Sequence, residues 1–176
     1  SGPVVLPDIA FVKVNVDELL IDNFNQTNLS LLARPSGNSL LVTMNSNEMN
    51  ANLEWKKGQN GKEPELIAHI SKLFIPSSAG DAAEKSKPVQ IQGGWPAINA
   101  VIDDLTYGNM RLGKLELVAR NTPSAKGQLW KITKLNLSNS AAQLHSSGSW
   151  LKGFDGGNET NLLINTNINN LGGLLN

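Results

Sequence analysis

Two histidines, His69 and His145, are the first side chains to weigh for chemistry. Neither stands at i, i+2 or i, i+4 from a second ligating group, and the chain has no cysteine, so a transition-metal site lacks its ligand set. Each reads as an outward-facing strand residue. Asp103-Asp104 and Asp17-Glu18 are adjacent carboxylates. Neighbours on a strand face opposite sides, so neither pair is expected to share a proton as an acid/base couple. No Gly-x-Ser-x-Gly elbow, no phosphate-cradling glycine loop and no serine with an identifiable histidine partner occurs. The expectation is a protein without catalytic residues, metal or cofactor, and not an enzyme. Four sequons, starting at Asn25, Asn28, Asn136 and Asn158, are what chance supplies in an asparagine-rich chain.

With nothing to catalyse, the elements themselves become the question. The chain has 176 residues, 40% of them apolar, and fifteen basic residues balance fifteen acidic ones. It is long enough for one sizeable core, though a lean or one-sided one. Zero net charge gives no long-range field toward phosphate backbones, which argues against nucleic acid as a partner. No apolar run approaches the roughly 20 residues that span a bilayer. The opening Ser1-Gly2-Pro3 and the close at Leu174-Leu175-Asn176, in the middle of an apolar pattern, suggest a segment of a longer chain.

Apolar and polar residues alternate in run after run, the period of a strand with one buried face. Val12, Val14 and Val16 do so; so do Leu40, Val42 and Met44, then Leu115, Leu117 and Ala119, then Ala142, Leu144, Gly148 and Trp150. Pro35-Ser36-Gly37-Asn38, Gly58-Gln59-Asn60-Gly61, Thr122-Pro123-Ser124 and Asp155-Gly156-Gly157-Asn158 punctuate them as turns. Helical spacing is confined to short candidates, Asp81 to Lys87 and the tail from Leu171. The expected fold is all-β, an antiparallel, repeating sheet with at most short helices.

An approximate internal repeat orders these strands. Leu6-Pro7-Asp8-Ile9 matches Trp95-Pro96-Ala97-Ile98; Leu29 to Arg34 matches Leu115 to Arg120; Leu53-Glu54-Trp55-Lys56 matches Ser149-Trp150-Leu151-Lys152; Leu66 to Ile70 echoes Leu162 to Thr166. Residues 1–76 form a first unit, 77–94 a linker or exposed loop rich in small and charged residues, and 95–176 a second unit. Trp55 and Trp150 fall at matching places, which fits core anchors with a bonded indole N–H, or rim residues. Trp95 and Trp130 have no counterpart.

Trp95 to Ile98, Gly108-Asn109-Met110-Arg111-Leu112-Gly113-Lys114-Leu115-Glu116-Leu117, Gly148-Ser149-Trp150, Thr160-Asn161-Leu162-Leu163 and Leu171-Gly172-Gly173-Leu174-Leu175 resemble the C-terminal region of YhdP-like, AsmA-like envelope proteins. The resemblance covers residues 95–176. It is looser in the first unit, where Gln26-Thr27-Asn28 stands in place of the Leu-Gly step. It implies a large periplasmic protein of a Gram-negative bacterium, anchored to the inner membrane by an N-terminal helix outside this segment. It further implies a strongly curved, groove-like sheet that carries phospholipid between the inner and outer membranes and supports the outer-membrane barrier.

Chemistry alone keeps two readings open. A one-sided apolar sheet offers a wall about 26 Å long per eight-residue strand, and burying ten methylenes there contributes roughly 8 kcal/mol. On this reading Leu31, Val42, Leu53, Leu117, Leu144 and Ile164, chosen by alternation, line a lipid-binding face and phospholipid acyl chains are the partner. The other reading is a two-sheet β-sandwich interaction module, of adhesin or carbohydrate-binding type, in which the same residues form a closed core. Unpaired strand edges invite pairing. The first and last strands are therefore expected to continue into neighbouring repeats, or to form an edge-strand dimer when the segment is isolated.

Overall fold

The computed structural model describes residues 10–21, 24–59, 61–77, 96–122, 124–153 and 157–169. Their alternating runs become ten strands: β1 (Val12–Ile21), β2 (Phe24–Ser36), β3 (Ser39–Asn45), β4 (Met49–Lys56), β5 (Glu65–Ile75), β6 (Ala97–Tyr107), β7 (Met110–Thr122), β8 (Gly127–Ser138), β9 (Ala142–Gly153) and β10 (Asn158–Ile168). All ten lie in one sheet in chain order, which does not close into a barrel. No helix occurs among the described residues. The helical candidates at Asp81 to Lys87 and from Leu171 lie outside them, as do Trp95, Leu6 to Ile9 and most of the linker.

The sheet departs from the expected antiparallel pattern at one junction, where β5 and β6 run parallel. Strand counting gives the reason. The matched segments occupy β2 and β7, β4 and β9, and β5 and β10, so each repeat is a five-stranded meander. An odd number of antiparallel strands ends at the far side of the sheet. Restarting in the same direction needs a crossover back to the starting side, and parallel neighbours require a dozen or more connecting residues. Residues 76–96 make that connection.

Four bulges tune the register, one of them at Leu112 in β7, where Leu105 pairs with Gly113 and Thr106 with Arg111. In β5, β6 and β8 the pairing slips at Ser71-Lys72, Asp103-Asp104 and Thr133-Lys134. Each polar pair sits between two apolar residues: Ile70 and Leu73, Ile102 and Leu105, Ile132 and Leu135. Strict alternation would turn the second apolar residue to the opposite face. A bulge absorbs the extra residue and returns it to the same face.

Beyond isolated contacts, each strand packs only against its neighbours in the sheet. There is no second sheet among the described residues, so the sandwich reading loses the layer it needs. Ile102 and Leu105 are nonetheless buried, as are Ala51, Ala68 and Ala119. All five stand on one face by register.

Candidate functional site

Direct pairing partners share a face of a sheet, so the register traces what that face contains. One row crosses all ten strands: Val12, Ala33, Val42, Leu53, Ala68, Ala100, Leu117, Leu135, Ser146 and Ile164. The next is Val14, Leu31, Met44, Ala51, Ile70, Ile102, Leu115, Leu137, Leu144 and Thr166. Val42, Leu53, Leu117 and Ile164 thus lie in the first row, and Leu31 and Leu144 in the second. A flanking row holds Leu40, Trp55, Leu66, Ile98, Ala119, Ile132, Gly148 and Leu162. At about 4.8 Å per strand the apolar band runs about 43 Å across the sheet, and it is about 20 Å deep along each strand.

The residues that alternation alone did not select are those of the central junction, Leu66, Ala68 and Ile70 with Ile98, Ala100 and Ile102. The apolar-polar-polar-apolar steps that follow them were the available signal. Towards the sheet's two edges the band is open to solvent: Val12 is 46% exposed and Ile164 is 55% exposed.

The two ends of the strands differ. At the end where β4 and β9 finish, the band closes with aromatic rings. Trp55 faces Leu40 and Leu66, and Trp130 faces Trp150 directly. The Trp130 indole is bonded, its Nε1 donating to the Pro96 carbonyl at 3.3 Å. At the other end, between β2, β3 and β4, polar groups close it. The Ser46 hydroxyl donates to Gln26 Oε1 at 2.7 Å, and Gln26 is 1% exposed. Glu48 accepts from both the backbone N–H and the hydroxyl of Thr27, each at 2.7 Å. Desolvation pushes the Glu48 carboxyl upward, but these bonds together outweigh it and hold the group below the usual glutamate range.

The opposite face is mostly polar, with Leu32, Ile67, Val101, Val118 and Leu163 among its apolar exceptions. His69 and His145 are exposed there; His69 Nε2 lies 2.8 Å from Asp103, and His145 Nδ1 lies 2.9 Å from Asn136 Oδ1. Asp103 and Asp104 do not point to opposite sides as simple alternation requires. The β6 bulge turns both to this face, where Asp104 accepts two hydrogen bonds from Arg111 at 2.9 and 3.1 Å. Lys134 donates to Glu116 at 2.8 Å, and this bond, with one from Asn136, holds the Glu116 carboxyl below its ordinary range. These are surface ion pairs, of modest energy.

A family model described as YhdP protein matches residues 1–176. The chain belongs to the YhdP family. The match takes in the first five strands as well as the last five, although only residues 95–176 carry the closer motif resemblance. No curated protein and no solved structure matches the chain. YhdP proteins form a bacterial envelope family.

Proposed function

We propose that this chain is a non-catalytic segment of a periplasmic, inner-membrane-anchored protein that carries or shields phospholipid between the two membranes, in support of the outer-membrane barrier. The observation that carries the reading is the apolar band itself, continuous over ten strands and covered by no second layer among the described residues. An uncovered apolar area of this extent is unusual on a soluble protein and marks an interaction surface. Acyl chains suit it because the wall offers alternating Leu, Val, Ile and Ala side chains and few polar partners. Such a wall holds a chain by area and lets it slide.

Photocrosslinking in cells tests this with the full-length protein. A crosslinking residue at Leu117 or Leu144 is expected to yield phospholipid adducts, and one at Glu116 or Gln143, on the polar face, to yield none. Absence of lipid at both pairs would overturn the proposal in favour of an interaction module.

The edges are part of the same proposal. β1 and β10 each have one unpaired side, and Leu162, Leu163 and Ile168 are exposed on β10. These edges are expected to pair with adjoining repeats in the full-length chain and with each other in the isolated segment. Sedimentation over a range of concentrations should show a dimer; a strictly monomeric segment would count against it.

A further inference from the structure

Zero net charge conceals a separation of charge between the two ends of the strands. At the tryptophan end every described carboxylate is engaged. Glu54 accepts from Ser39 at 2.7 Å, Glu65 pairs with Arg120 at 3.3 Å, Glu63 accepts from the Asn121 backbone N–H at 3.1 Å, and Glu159 accepts from Asn161 at 3.0 Å. The cations there are in surplus. Lys57, Lys62, Lys126 and Lys152 are exposed and have no side-chain hydrogen bond or ion pair among the described residues. The far end is the reverse: Lys72 donates to the Asn47 carbonyl, Arg111 and Lys114 have carboxylate partners, and Glu18 and Glu48 stand in the polar corner.

We propose that the tryptophan end is the headgroup rim of the lipid face, where Lys57, Lys62, Lys126 and Lys152 receive the phosphate of a bound lipid while its acyl chains lie along the strands. This rests on the lipid-carrying reading above. Two features converge on it. Trp130 and Trp150 end the apolar band, and indole rings favour the boundary between an apolar layer and a polar one. Lys152 continues the Trp150 row on the same face, opposite Gln128 and Asn158. Long lysine side chains lay their methylenes along apolar surface and place the ammonium at its margin. The acidic far end repels a phosphate, so the lipid has one favoured orientation.

The test uses the full-length protein and vesicles that carry either phosphatidylglycerol or diacylglycerol with the same fluorescent acyl chains. Phosphatidylglycerol uptake is expected to exceed diacylglycerol uptake roughly five- to twentyfold, the sum of a few exposed charge pairs. The preference should shrink as salt rises from about 50 mM to about 500 mM. K57Q/K62Q/K126Q/K152Q should abolish the preference and leave diacylglycerol uptake unchanged, while K72Q at the far end keeps it. Equal uptake of both lipids by the unaltered protein, or a preference that survives in the quadruple variant, overturns the rim. Uptake of neither lipid overturns the lipid-carrying reading, and the rim with it.

Discussion

Leu117→Asp combined with Leu144→Asp is expected to strip the full-length protein of bound phospholipid while the sheet stays folded. The two positions are half-buried and lie in adjacent rows of the apolar band. A carboxylate pressed against an acyl chain loses hydration with no partner to replace it, a cost of several kcal/mol. Two of them should lower lipid occupancy at least about hundredfold. The folded sheet is hurt far less, because nothing among the described residues covers these positions and water still reaches the new carboxylates. Loss of leucine burial alone costs about 1 to 2 kcal/mol per site. A closed core answers differently: an unpaired charge there costs well beyond 3 kcal/mol and unfolds a marginal domain. Lipid phosphorus per mole of purified protein, read beside the thermal midpoint, separates the cases. Gln143→Asp on the polar face should change neither. A collapse of the midpoint with the double substitution, or unchanged lipid content, would contradict the open-face account.

Period-two patterning carried the fold a long way because a one-faced sheet has one dominant constraint. Val42, Leu53 and Leu117 stand in strands where alternation is almost unbroken, and the register sets them in a single row. The reading weakened where the chain inserts a residue. Ile70-Ser71-Lys72-Leu73, Ile102-Asp103-Asp104-Leu105 and Ile132-Thr133-Lys134-Leu135 look like lapses in the pattern, yet each is a bulge that keeps the pattern in space. The same blindness put Asp103 and Asp104 on opposite faces. The Trp130 and Trp150 pairing was also out of reach, since it depends on the β8–β9 register across that third bulge.

The parallel junction follows from arithmetic that the repeat already contained. Had β6 followed β5 through a hairpin, the second meander would run inverted and place Trp150 at the end opposite Trp55. The crossover through residues 76–96 keeps both units in the same direction. Matching residues therefore reach the same rim, and a tryptophan at each repeat extends one aromatic border. A length of connection that reads as a mere linker is what keeps the two rims chemically distinct.

Gly113→Val is expected to destabilise the sheet by about 3 kcal/mol, and Asn28→Gly to change it by less than about 1 kcal/mol. Gly113 in β7 has φ of 88° and Asn28 in β2 has φ of 52°, so both repeats place a left-handed residue near the start of their second strand. The first unit's Gln26-Thr27-Asn28 thus provides in conformation what the Leu112-Gly113 step provides in the second, asparagine being among the few side chains that tolerate the region. A side chain at 113 fails twice. Valine's β-branched side chain resists positive φ, and a Cβ there would run into the Ser138 carbonyl oxygen and come within 2.8 Å of the Asn139 Cβ. These obstacles lie at the last residue of β8 and the first of the β8–β9 connection, so relief would require β7 to part from β8 beside the Leu105 and Gly113 pairing. At 2 to 4 °C per kcal/mol for a chain of this size, the midpoint should fall roughly 6 to 12 °C. Calorimetry of the two variants decides whether the left-handed step is structural: a Gly113→Val midpoint within about 2 °C of the unaltered chain would mean that β7 can bypass it.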